Sequence, residues 1–222
     1  MHVVVAGATG ATGRSVVEQA RAAGHRVTAL VRDASAYEPP AGVTVQQAQV
    51  VTDDELELAP DADVVITSLG KRAFRDPVPV CAAGTANLLG AMARGGVRRI
   101  VGVSAVPVLT TGAGEPWWFR HGLRPFVRRL GRELYADLAQ MEDLIRNADF
   151  PCEWTIVRPG RLTDDDATDY RLVEEANATT AVSRADLAHA LVTLAGDPSG
   201  IGRSYGVERG RRVRSTTERV AA

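Results

Sequence analysis

Residues 1–20 read MHVVVAGATGATGRSVVEQA, and the run from Gly7 to Gly13 decides the fold. Before it, His2 to Ala6 is a β-branched apolar run that ends on glycine, the pattern of a strand buried on both faces of a parallel sheet. After it, residues 14–23 carry apolar side chains at helical spacing. Glycines between such a strand and such a helix let the backbone turn tightly, let a pyrophosphate approach with no Cβ in the way, and let the helix pack close to the strand. The helix amino end then offers N–H groups and a partial positive charge to phosphate. In this context Gly7, Thr9, Gly10, Ala11, Thr12 and Gly13 are expected to form a nucleotide-binding loop.

At 222 residues the chain is long enough for one well-buried α/β domain, expected over 1–208 with a polar tail over 209–222. With 26 basic and 27 acidic residues the formal charge is −1, which excludes a global attraction to nucleic acid or to a membrane surface. Cys81 and Cys152 stand far apart without metal-like or redox spacing, so buried free thiols in a reducing, cytoplasmic setting are expected, with no metal site. No signal-peptide pattern opens the chain, and no apolar run approaches the roughly 18 residues of a membrane span. The sequon Asn177-Ala178-Thr179 is then a chance match.

Strand-like runs at 2–6, 26–31, 43–47, 63–67, 99–103 and 154–157 alternate with helix patterns at 12–23, 78–95 and 132–147, and a weaker one at 53–58. Repeated alternation predicts a Rossmann-like, doubly wound parallel sheet, because each parallel connection must cross a face of the sheet. A late helix is expected over 184–195, capped by Ser183 with Asp186 three positions on and ended by Gly196, followed by a strand near 204–207. Two insertions, 110–131 and 161–180, follow strands at the carboxyl edge, where open α/β sheets bind ligands.

GATGATGR at 7–14 resembles the opening of atypical and extended short-chain dehydrogenase/reductases, and the resemblance runs to about Tyr205. TALVRD at 28–33, VVITSLGKR at 64–72 and AGTANLLGAMARGGVRRIVGVSA at 83–105 are similar to the second strand, fourth strand and following helix and strand of that family. WTIVRPGRL at 154–162 and SRADLAHALV at 183–192 are similar to its NmrA-like and flavin reductase (biliverdin reductase B-like) branch.

The resemblance implies a dinucleotide, and Arg32 stands where an NAD-preferring member carries a carboxylate for the ribose hydroxyls. Arg14, after the third glycine, can close on the same 2′-phosphate by forked, charge-assisted bonds, so NADP(H) is expected over NAD(H). Asp33 dissents, although one residue further along a strand it points to the opposite face. The family pattern also implies contacts from Gln49 and Val50 at the adenine, in place of the more usual Asp-Val or Asp-Leu, and from Ser68, Leu69 and Gly70 beneath the nicotinamide ribose. Lys71 is either a cofactor or substrate contact or an ordinary surface lysine. Pro159 and Gly160 match a segment bordering the nicotinamide, while Arg158 pairs structurally.

Many members of the superfamily use a tyrosine with a lysine four residues later as proton donor. Lys71 is the only lysine, Thr67 precedes it by four, and Tyr135 is followed four positions on by Ala139. Tyr135 is then a surface or packing residue. Ser104, with Ala105 beside it, matches a serine near the nicotinamide and is the candidate catalytic residue, as an orienting group; otherwise it bonds to its own loop. In the first insertion, His121 is either a general acid or simply solvated, and Trp117, Trp118 and Phe119 with Arg120, Arg124, Arg128 and Arg129 make a lid or homodimer contact in preference to a platform for a planar substrate. Pro125 argues against one continuous helix there. The expected function is an NADPH-dependent oxidoreductase reducing a flavin, quinone or other conjugated ring. Two alternatives stay open: an NmrA-like dinucleotide sensor without turnover, and a biosynthetic tailoring reductase or epimerase.

Overall fold

The apolar run His2–Ala6 forms strand β1 with every residue buried. Its alternating side chains feed two separate cores: Val3 and Val5 face one side of the sheet, Val4 and Ala6 the other. The computed structural model describes residues 1–71, 78–109, 113–177 and 180–210, with the side chains of 123 and 128 set aside. Of the tail expected over 209–222, Arg209 instead ends the last strand, where it pairs with Tyr170, and residues from 211 onward lie outside the described ones.

Around β1 the chain places β2 (Arg26–Val31), β3 (Val43–Gln47), β4 (Val64–Thr67), β5 (Arg99–Val103), β6 (Glu153–Pro159), β8 (Tyr170–Glu174) and β10 (Arg203–Arg209) in one sheet of order β3-β2-β1-β4-β5-β6-β10-β8. All pairings are parallel except β10 with β8 at the edge. β7 (Leu162–Thr163) and β9 (Val182–Ser183) form a small parallel pair of their own. Helices α1 (Ala11–Ala22) and α5 (Arg184–Ala195) cover one face through Val16, Val17, Leu187 and Leu191; α2 (Val80–Gly95) and α4 (Arg132–Arg146) cover the other through Leu88, Met92, Met141 and Ile145. This is the Rossmann-like arrangement expected, and the order reverses between β1 and β4, where open α/β sheets have their ligand crevice. No helix among the described residues is long and apolar enough to cross a membrane.

The late elements follow the sequence closely: Ser183 Oγ accepts the Asp186 amide at 2.9 Å to start α5. Three features differ from expectation. Residues 53–58 form no helix; the Asp53 carboxylate turns the chain by accepting the Glu55 amide at 3.2 Å, and Arg94 holds the carbonyls of Asp54 and Leu56. The second insertion contains β7 and β8, with Tyr170 and Leu172 packed inward, and β9 follows just beyond it. In the first insertion Pro125 does not end the helical path: a π-helical turn, Phe119–Leu123, runs directly into α3 (Arg124–Leu130), and the proline, which has no N–H to give to the preceding turn, follows that widened stretch.

Candidate functional site

The site begins with backbone. Gly7 has φ +84°, and a Cβ there would stand 2.7 Å from the Ser68 carbonyl oxygen. A Cβ on Gly13 would strike the carbonyl of Gly7, so this position fixes how closely α1 approaches the loop. The Gly10 amide donates to Gly7 O and its carbonyl accepts from Arg14 N, both at 2.9 Å, which closes the turn. Ala11, Thr12 and Gly13 then open α1 with amides that have no partner inside the helix.

In front of this loop lies a cavity of about 450 Å³, within the size range of small-molecule sites. Gly7, Thr9 and Gly10 line one wall, Arg32, Gln49 and Val50 the second, and Ser68, Leu69 and Gly70 the third. Leu30, Val31, Ala48, Val51, Thr52, Val78 and Val80 complete the lining and were not singled out from sequence, because apolar or small residues at or after a strand end carry no mark of a ligand wall. Arg32 is exposed, and its guanidinium has no ion pair among the described residues. Arg14 does not line this cavity; its Nε donates to Thr9 O at 3.2 Å. Asp33, the dissenting carboxylate, is engaged locally: it accepts the Ser35 hydroxyl at 2.6 Å and the Ser35 amide at 2.9 Å, bonds that hold it below its ordinary pKa.

Lys71 is not an ordinary surface lysine. Its Nζ lies 3.6 Å from Asp137 Oδ2, with both side chains 2% exposed. Asp137, on α4, accepts the amides of Cys81 and Ala82 at 3.1 and 2.8 Å and so caps α2, whose own residue before the helix, Pro79, supplies no cap. Burial and this carboxylate push the Cys81 thiol up to about 12.

At the far side of the crevice, Ser104 follows β5 and Pro159 ends β6, with Gly160 just beyond. Neither these nor Ala105 line the 450 Å³ cavity. Ser104 Oγ donates to Glu142 Oε1 at 2.6 Å, and Arg158 grips the same carboxylate through Nε at 2.8 Å and Nη2 at 2.6 Å. Ser104 therefore bonds to α4, not to its own loop. Arg158 Nη1 is buried and has no hydrogen-bond partner among the described residues. Glu142 was missed from sequence, although an arginine inside an apolar strand is a signal that a buried acid must exist somewhere. Tyr135, half buried on α4 against the apolar core, has its hydroxyl pKa raised by burial.

The two insertions are joined. Glu115 accepts Asn177 Nδ2 at 2.7 Å and Arg124 Nη1 at 3.2 Å, while Arg124 Nη2 donates to Leu109 O at 2.9 Å and the Asn177 amide to Ala113 O at 2.8 Å. Asn177 is buried, which suits a chance sequon; its partners Ala178 and Thr179 lie outside the described residues. Trp117 and Trp118 remain 77% and 62% exposed, and the His121 ring lies 5.5 Å from that of Trp117.

The NAD(P)H-binding family profile matches residues 7–198. A 3-diazoavenalumate denitrifying reductase from a Streptomyces species is 40% identical over 117 residues, which is 47% of this chain and 38% of that protein. Another relative, 34% identical over 185 residues, is an uncharacterized chloroplastic protein of Arabidopsis thaliana, and the chain spans less than two thirds of the length of either of these two. Among solved structures, a short-chain dehydrogenase/reductase from Veillonella parvula in complex with NADP superposes with a TM-score of 0.75 at 22% identity, covering 95% of each chain. A proposed NADH-flavin reductase from Streptococcus pneumoniae does so with a TM-score of 0.71 at 22% identity, covering 95% of this chain and 100% of that one.

Proposed function

The chain belongs to the NAD(P)H-binding family, and from that premise we propose that it is an atypical short-chain dehydrogenase/reductase that uses NADPH to reduce a flat conjugated acceptor, a flavin or quinone, by direct hydride transfer. The observation that carries the reading is the cradle at the loop: Gly7 and Gly13 stand where any Cβ would collide with backbone, in front of a cavity floored by Ser68. Such a cradle fits a diphosphate, which the first-turn amides of α1 would hold. Arg32 would take the 2′-phosphate, while the Asp33 carboxylate is bonded to Ser35. Gln49 and Val50 would meet the adenine, and Ser68 to Gly70 would run beneath the ribose. Ser104, Ala105, Pro159 and Gly160 would border the nicotinamide, and the joined insertions would cover the acceptor.

Bound NADPH supplies a hydride, and a conjugated ring that accepts it takes its proton from water. The protein's task is then to hold the two rings in register and keep bulk solvent from the face between them. No tyrosine–lysine pair is needed, in keeping with Tyr135 being packed on α4 and Lys71 being committed to Asp137. Exposed Trp117, Trp118, Phe126 and Leu130 support reading the first insertion as a lid or homodimer contact. Free Cys81 and Cys152 suit a reducing cytoplasm.

Purified protein mixed with NADPH and FMN, riboflavin or a soluble quinone should consume the dihydronicotinamide absorbance. Tight binding without turnover on that panel overturns the reading in favour of a sensor. A second reading, a tailoring reductase acting on a conjugated biosynthetic intermediate, is favoured by the likeness to the Streptomyces reductase and predicts turnover with aryl diazo compounds but not with free flavins.

A further inference from the structure

Ser104 has one hydroxyl proton, and the geometry commits it to Glu142 at 2.6 Å. Glu142 has nothing to donate in return. Its Oε1 also accepts Arg158 Nε at 2.8 Å, its Oε2 accepts Arg158 Nη2 at 2.6 Å, and Arg146 Nη2 lies 3.5 Å from Oε2. A carboxylate gripped by a forked guanidinium is an ionised, acceptor-only group. The pair is sealed from water, with the Glu142 and Arg158 side chains 6% and 3% exposed. Rotating the serine hydroxyl toward a ligand would therefore remove a charge-assisted bond from a buried carboxylate that water cannot reach to replace. The Ser104 amide is fixed as well, donating to Val157 O at 2.8 Å.

We propose that Glu142 and Arg158 are positioning residues that set the polarity of Ser104, so that Oγ acts toward a ligand as a hydrogen-bond acceptor and receives an N–H from a primary carboxamide, that of the nicotinamide. This rests on the reading that Ser104 borders the nicotinamide. It sharpens the substrate class: Ser104 supplies no proton, so a simple ketone or aldehyde would draw none from this residue, while a flavin or quinone protonated by solvent does not need one.

The test is calorimetric and independent of turnover. NADP⁺ and its 3-acetylpyridine analogue differ where the proposal acts, since the analogue's methyl ketone keeps the carbonyl and has no N–H. Ser104→Ala should weaken NADP⁺ by roughly tenfold and the analogue by less than about twofold, and Ser104→Thr should restore the difference. In Glu142→Gln the amide is uncharged and has one acceptor oxygen for three donors, the Ser104 hydroxyl and two Arg158 N–H groups, so the hydroxyl proton is held less firmly and the gap between NADP⁺ and the analogue should narrow. Thermal unfolding shows whether Glu142→Gln is folded; where it is not, the Ser104 pair of variants decides. A Ser104→Ala protein that loses both ligands equally, or neither, overturns the proposal while leaving dinucleotide binding intact. Wild-type protein that binds neither ligand overturns the family-based reading and this inference together.

Discussion

The two ends of the crevice are built by different means. At the β1–α1 loop the candidate site is made of backbone: glycines where a Cβ would strike neighbouring carbonyls, amides at a helix start, and one exposed arginine among the cavity's lining. At the ends of β5 and β6 it is made of buried charge: Glu142 with Arg158, Glu115 with Arg124, and Lys71 with Asp137 between the two ends. Backbone sites tolerate little change of shape, and buried pairs tolerate little change of charge. The two ends should therefore fail in different ways.

The largest effect should come from the charged end. Arg158→Met leaves Glu142 buried without its forked partner, which should cost about 3 to 5 kcal/mol of stability, read as a lowered midpoint in chemical unfolding. Cutting both partners at once, in Arg158→Met with Glu142→Met, should recover much of that loss; a double variant as unstable as the single one would break the contrast. At the loop, Gly13→Ala drives a Cβ into Gly7 O, so the loop must shift, and NADPH affinity should fall by roughly a hundredfold. Arg32→Ala should weaken NADPH by roughly tenfold to a hundredfold while barely moving NADH, and equal loss of both would reject the phosphate reading.

Smaller effects sharpen the picture. Glu115→Ala removes the acceptor shared by Arg124 and Asn177, so limited proteolysis should cut the two insertions faster while NADPH binding at the loop stays unchanged. The smallest concerns Cys81. Its folded pKa, about 12, is raised above the ordinary 9, so the neutral thiol's stabilisation is complete below pH 9 and lost as pH climbs toward 12. Cys81→Ala should flatten that alkaline decline, measured as the difference between the two proteins' stability–pH curves.

Much of this was legible in the chain. The strand ends at 2–6, 26–31, 43–47 and 99–103 match the observed β1, β2, β3 and β5, since buried parallel strands are short apolar runs with sharp boundaries. The cap at Ser183 and the loop lining at Gly7, Thr9 and Gly10 were readable because each depends on neighbours within a few residues. The strand at 170–174 was hidden: its alternation of Tyr170, Leu172 and polar residues sits in an acidic stretch, and it gains its place by pairing antiparallel with β10, some thirty residues on. The helix expected at 53–58 failed for the complementary reason, because side-chain bonds from Asp53 and from the distant Arg94 settle that segment as turns.

The sequence by itself determined the alternating sheet and the glycine turn, for both follow from steric rules that act between adjacent residues. Only the tertiary structure decided what the polar side chains do. Lys71 finds Asp137 across 66 positions' worth of chain, and Ser104 and Arg158 meet on Glu142 from different strands, because a buried charge selects its partner by proximity in three dimensions, and local spacing holds no record of that choice.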